Sequence, residues 1–282
     1  SSDLEAREVG GGLAAVKEPG GKWGFVAYQD GALKKAIPAI LIQAKDFSEG
    51  LAAVEESDEA PLGEETELTW FEDKQAKEQK PTGPPAWGYI LPSGKLWIPR
   101  GFAEAGNFLD GRAAVRPEGE GFSPVLIDSK GKVRTVGMYR GLVLLGEKRV
   151  AWKREAGWGM MDFQEKILEI FPGGESQDGL TAVGPFGNGL APAKGKGGQW
   201  GYLDAQGRWV IVPRLERAGV FRGGLAAAKE PGGRWGFLKP DGSWGIEPKF
   251  SRVHGFSDGL AAVLTDGGSE TGPEPETEGS WE

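Results

Sequence analysis

The chain has 282 residues, with 33 Lys and Arg against 41 Asp and Glu, a net charge of −8 and a hydrophobic fraction of 39%. That composition describes a folded globular protein, large enough for one all-β domain or two smaller ones. It argues against nucleic acid and anionic membrane surfaces as partners, whose binding rests on clustered Lys and Arg. No apolar run approaches the roughly 20 residues of a membrane-spanning helix, and the absence of Cys excludes disulfides, thiolate metal sites and Cys nucleophiles. Gly at 48 positions together with 11 Trp suits many short strands joined by tight turns.

Taken from the amino terminus, the chain repeats itself. A short apolar run, Leu13-Ala14-Ala15-Val16, recurs at residues 51–54, 112–115, 142–145, 190–193, 225–228 and 260–263, seven copies in all. A Trp-Gly element stands at Trp23, Trp87, Trp158, Trp200 and Trp235, with an eroded copy at residues 122–127. Successive elements lie 64, 35, 36, 42 and 35 residues apart, which is one period with a large and a small insertion.

The apolar residues of each unit sit in runs of four or five, bounded by Gly, Pro and Asp-Gly. That pattern predicts strands and hairpins, and no long helix outside residues 64–80. Asp30-Gly31 and Asp241-Gly242, and less strongly Ser93-Gly94 and Gln206-Gly207, mark tight turns at positive φ. Pro38, Pro99, Pro213 and Pro248 are expected to end the third run, because proline donates nothing to a ladder. A piece such as residues 249–256 is expected to add a fourth, edge-like strand. The Gly after each Trp is expected to lie beneath an aromatic ring, which recovers packing that glycine lacks. The Ala-Ala pairs predict a strand narrow on both faces, the inner strand of a radial array.

The unit is clearest in FSDGLAAV, GGRWGFLKPDG and WGIEPKF, with GGQWGYLDAQGRWVIVPRLERAGVF as a second copy. On these motifs the chain resembles the bacterial WG-repeat family, also seen as KWG repeats, over nearly all its length apart from an insertion and a tail. The resemblance implies a β-rich repeat array, commonly exported or on the surface, with no shared enzymatic activity. Residues 111–140, with Phe122-Ser123 in place of Trp-Gly, and residues 141–178, without the Ala pair, depart from the pattern and are expected to be distorted.

The expected fold class is all-β, a repeat protein of short antiparallel hairpins forming one domain over residues 1–263. A seven-bladed β-propeller with a split last blade fits best. Residues 4–9 line up with residues 215–221, the end of a unit, while residues 260–263 are the start of one. Residues 3–9 and 260–264 would then share a blade and close the ring. The alternative is an open hairpin solenoid.

Two regions are not repeat: the insertion 55–86, acidic and then Pro-rich, and the acidic tail 264–282. Trp70 and Phe71 in the insertion, and Trp281 in the tail, are the candidate binding residues, since apolar groups on polar segments suit docking anchors. A small satellite core is the alternative for Trp70 and Phe71. The lone His254 has no G-x-S-x-G serine to activate and no second His or Cys for a metal. Glu49, Asp110, Asp178 and Asp258 all precede the same repeat Gly, which turn chemistry explains. No run has the spacing of a calcium loop.

The expectation is therefore a non-enzymatic protein-binding scaffold or structural subunit, without cofactor or metal. The insertion and the tail would contact other protein subunits. The alternative is a glycan-binding module, which would need Trp97, Trp209 and Trp244 to line solvent-facing pockets. The opening Ser1-Ser2 fits an exported, periplasmic or cell-surface protein after signal removal, and equally a trimmed chain.

Overall fold

The computed structural model describes residues 5–10, 12–18, 20–29, 32–56, 86–119, 121–135, 137–155, 157–172, 179–256 and 259–265. All regular structure in them is antiparallel β, with no helix, as the repeat predicted. The chain divides into two compact units, residues 1–139 and 140–282.

In the first unit a four-stranded meander comprises β1 (Glu5–Gly10), β2 (Leu13–Lys17), β3 (Trp23–Gln29) and β4 (Ala32–Leu41). A six-stranded sheet follows: β5 (Gln43–Ala44), β6 (Ala52–Glu56), β7 (Ala86–Ile90), β8 (Leu96–Ala105), β9 (Arg112–Pro117) and β10 (Val125–Asp128). It is two repeats fused, because β8 pairs first with β7 and then, from Phe102 to Ala105, with β9.

In the second unit three complete meanders succeed one another. The first is β11 (Gly141–Gly146), β12 (Arg149–Arg154), β13 (Gly157–Asp162) and β14 (Ile167–Pro172). Next come β15 (Leu180–Val183), β16 (Leu190–Gly195), β17 (Trp200–Asp204) and β18 (Trp209–Leu215), then β19 (Arg217–Ala218), β20 (Ala226–Lys229), β21 (Trp235–Leu238) and β22 (Trp244–Phe250). A last pair, β23 (Arg252–Val253) and β24 (Val263–Leu264), begins one more repeat.

Within each unit the hydrophobic core lies between consecutive sheets. Phe25, Ile37 and Leu41 of the first sheet pack with Phe47, Val54 and Ile90 of the second. In the second unit the same layer recurs, as Tyr202, Ile211 and Leu215 against Phe221, Ala226 and Leu238. The Ala-Ala strand is therefore narrow for the expected reason: both its faces are buried, in β20 as in β6. It is the second strand of its sheet, however, with neighbours on both sides.

Several expectations are corrected. The element at residues 215–221 does not end a unit. Arg217 and Ala218 open the β19–β22 sheet, and residues 5–10 open the first sheet in the same way. Among the described residues, 5–10 and 260–264 therefore share no sheet: β1 pairs with β2, and β24 with β23. In the third repeat the Trp-Gly position is held by Pro124-Val125, because Val125 to Asp128 form the strand, while Phe122 stands 55% exposed before it. That repeat is distorted as expected, its fourth strand reduced to a single bridge from Ile127 to Val133. Residues 141–178, expected to be distorted, give a full four-stranded sheet. There residues 142–145 belong to the first strand, and Val150-Ala151 of β12 take the place of the Ala pair.

Proline does not end the third run. Pro38, Pro99, Pro213 and Pro248 lie within β4, β8, β18 and β22. Each sits at a bulge, where two steps along the Trp-Gly strand face four along its partner: Trp200 opposes Leu215, yet Tyr202 opposes Ile211. A bulge leaves residues unpaired, so a missing N–H costs nothing there. The bulge also explains the Gly after Trp. A Cβ on Gly236 would lie 2.7 Å from the Ile246 carbonyl oxygen and 2.9 Å from the Pro248 nitrogen, and Gly24 is crowded in the same way by Ile37 and Ala39. At these bulges close approach of backbone demands glycine, and at Gly236 the Trp244 ring, 2.9 Å from the same Cβ, covers it as expected. The exception is Gly159, whose partner strand β14 has no proline bulge and which lies against the Trp152 ring directly across the ladder.

Candidate functional site

The repeats offer three kinds of side-chain feature: an aromatic key in those of Trp23, Trp87, Trp200 and Trp235, a polar turn, and a Trp with a cation at its ring. The key is the residue after Trp-Gly, which packs on a Phe of the following repeat. Ring centroids stand 4.9 Å apart for Phe25 and Phe47, 5.0 Å for Tyr89 and Phe108, 4.8 Å for Tyr202 and Phe221, and 5.0 Å for Phe237 and Phe256. Where the key is Tyr, its hydroxyl donates across the layer, Tyr89 to the Gly106 carbonyl at 2.7 Å and Tyr202 to the Gly219 carbonyl at 2.8 Å. Burial pushes both phenols upward, so they remain neutral donors. Tyr202→Phe is expected to cost about 1 kcal/mol in a denaturant melt, the usual net worth of such a bond. No change would mean that the Gly219 carbonyl finds water instead.

The turns fall into two classes. Ser48 and Leu51 exchange both backbone hydrogen bonds around Glu49 and Gly50, at φ of 52° and 81°. This is a type I′ hairpin, and it recurs at Asp110-Gly111, Asn188-Gly189 and Gly223-Gly224. The carboxylates at Glu49 and Asp110 thus stand where turn chemistry puts them; Asp178 and Asp258 lie outside the described residues. The turns are also linked from repeat to repeat. Glu49 Oε2 accepts from the Gly111 N–H at 2.8 Å, Glu147 Oε1 from Gly189 at 3.1 Å, and Asn188 Oδ1 from Gly224 at 3.1 Å.

The second class opens on an Asp that sequence reasoning passed over. Asp128, Asp162 and Asp204 each accept two backbone N–H groups through Oδ1, from the residues two and four further on. The signal was available as Asp-x-x-Gly-Lys/Arg, with Glu165 replacing Gly in one copy at φ of 62°. Burial alone would raise the Asp204 pKa. The backbone N–H and guanidinium of Arg208 and the N–H of Gln206 outweigh it and hold the carboxyl below its ordinary range. Its stabilisation is therefore present above the unfolded value of about 3.9 and is lost as pH falls through the folded value. Asp204→Asn is expected to lower the melting temperature at neutral pH and to flatten its fall in acid; an acid limb as steep as that of the parent would refute this.

The family model described as a WG-containing repeat matches residues 87–120, 200–233 and 235–268. Over those three stretches the chain carries WG-containing repeats. No curated protein matches it. Among solved structures it is similar to the computationally designed Ika8 protein at 12% identity, TM-score 0.51, covering 94% of this chain and 84% of that one. It is also similar to the WD40 beta propeller domain of Doa1, at 10% identity, TM-score 0.44 and coverage of 94% and 90%. For BamB from Moraxella catarrhalis the values are 11%, 0.47, 90% and 77%. At 12% identity the likeness to Ika8 bears on fold alone.

The Trp of the WG pair is buried at Trp23, Trp158 and Trp235 and half-buried at Trp87 and Trp200. A lysine stands 5.2–5.9 Å from the ring centroid in four WG repeats, as Lys17 on Trp23, Lys45 on Trp87, Lys153 on Trp158 and Lys194 on Trp200. The three Trp residues on which glycan binding would turn lie at the margins of the layers. Trp97 donates to the Ser129 carbonyl at 2.7 Å, and Trp209 and Trp244 are half-buried against the core.

The candidate anchors Trp70, Phe71 and Trp281 lie outside the described residues. His254 is exposed, and its backbone N–H donates to the Ala262 carbonyl. Among the described residues no three His, Asp or Glu gather as a metal site requires, and no helix is long and apolar enough to cross a membrane.

Proposed function

We propose that this WG-repeat chain is a non-enzymatic, propeller-like scaffold that binds other proteins. The observation that carries the reading is the recurrence of one set of contacts between sheets. The aromatic key at 4.8–5.0 Å and the linked turns return in repeat after repeat. Repetition of this kind spends polar and aromatic groups on holding a surface rigid, and a rigid surface lowers the ordering cost of a protein interface. Glycan binding fits less well, because Trp209 and Trp244 pack half-buried against the core and the N–H of Trp97, a ring 38% exposed, is held by the Ser129 carbonyl. Cross-linking of the tagged chain in its native cells, read by mass spectrometry, is expected to return the same protein neighbour in independent preparations, linked through residues of the sheets. Glycan-array binding abolished by Trp97→Ala, with no reproducible protein neighbour, would overturn the scaffold reading.

A further inference from the structure

The negative charge of this chain is not spread over its repeats. Residues 57–85 hold eight acidic residues and three lysines, and residues 266–282 hold six acidic residues and no base. The remainder, with 27 acidic and 30 basic residues, is positive by three. Within residues 140–265 that positive charge gathers at one end of the sheets. The linked turns Glu147 to Gly189 and Asn188 to Gly224 set the first hairpins of three successive sheets side by side. Their opposite ends, where the second strand turns into the third, therefore line up too. There stand Lys153, Arg154, Arg234 and Lys249, all exposed, and the half-buried Lys194 and Lys196.

Three carboxylates share that end among the described residues, and each is already held by another cation. Glu155 pairs with Arg140 at 3.0 Å, Glu216 with Lys229 at 3.2 Å and Glu230 with Arg214 at 2.6 Å. The opposite end is balanced instead, since Asp162 and Asp204 share it with Lys166 and Arg208.

β24 is a second strand, and Arg252 opposes Leu264 as Arg217 opposes Lys229. The chain therefore leaves β24 at the positive end, one residue before Asp266 begins the run with Glu270, Glu274, Glu276, Glu278 and Glu282. Fully extended, 17 residues reach about 55 Å, and three steps between packed sheets at about 10 Å each span about 30 Å. We propose that residues 266–282 dock in cis across the positive strand ends at Lys249, Arg234, Lys196, Lys194 and Lys153, covering that surface against other acidic polypeptides. The contact is internal to one chain, so its success or failure is separable from that of the scaffold reading.

Zero-length carbodiimide cross-linking of the full chain, as a dilute mixture of light and heavy isotopic copies, tests the assignment. Isopeptide links from the tail carboxylates to Lys153, Lys194, Lys196 or Lys249 are expected within single molecules, falling several-fold at high salt as screening predicts. Links to Lys148, Lys166 or Lys239 at the other end, links only between light and heavy copies, or no links would each overturn it. A second measurement uses the full chain with all six tail carboxylates changed to amides. A peptide of residues 266–282 is expected to bind this variant at least tenfold more tightly than the parent, whose surface is covered. Equal affinity, or a surface that takes a single-stranded oligonucleotide and rejects the peptide, would overturn the proposal.

Discussion

Gly236→Ala is expected to lose about 3 kcal/mol, the upper part of the range for forcing a methyl into a packed interior. The new Cβ meets backbone on every side that matters: the Ile246 carbonyl at 2.7 Å and the Pro248 nitrogen at 2.9 Å, besides the Trp244 ring at 2.9 Å. A side chain could rotate away, but this backbone cannot move freely. Pro248 locks its own φ, and the bulge is held on both sides by the Phe237–Ile246 and Trp235–Phe250 pairs. Gly197→Ala is the control, because its Cβ would meet nothing within 4 Å and surface changes of that kind stay within about 0.5 kcal/mol. Chemical denaturation of both variants decides the matter. Equal midpoints would show that β22 yields, and that close approach is not why glycine follows tryptophan.

Trp235→Ala should be as damaging, with a loss of about 4 kcal/mol. The ring is buried among Phe237, Phe250 and Val253 in the layer between the β19–β22 sheet and the last strand pair. Trp200→Ala removes the same residue type from the same repeat position, but that ring is only half-buried beneath Lys194. Its loss should be nearer 2 kcal/mol, since less area returns to water. Exposure, not repeat position, is thus expected to rank the two. If Trp200→Ala proves the costlier, the lysine contact contributes more than burial does.

Fold class was legible in the sequence because strands bounded by turns impose a local pattern: apolar runs of four or five, then Gly or Asp-Gly, at a period near 35. The Ala-Ala strand and the Trp-Gly strand could be read from single segments such as residues 225–238. Phase could not. Whether residues 215–221 close one sheet or open the next depends on which strand they hydrogen-bond. That pairing, Arg217 with Lys229, is made with residues further along the chain. The same ambiguity placed the third Trp-Gly element at Phe122 when the ladder sets it at Pro124-Val125.

The candidate site was less legible still. The aromatic key joins residues about 20 apart, Tyr202 to Phe221 and Phe237 to Phe256, and no local pattern marks such partners. By itself the sequence determined the all-β repeat, its hairpin turns and the acidic character of the insertion and tail, since each follows from composition and short-range backbone preference. Only the tertiary structure decided where sheets begin, why glycine follows tryptophan and which strand ends carry the positive charge. Those three depend on backbones and turns brought together from successive repeats.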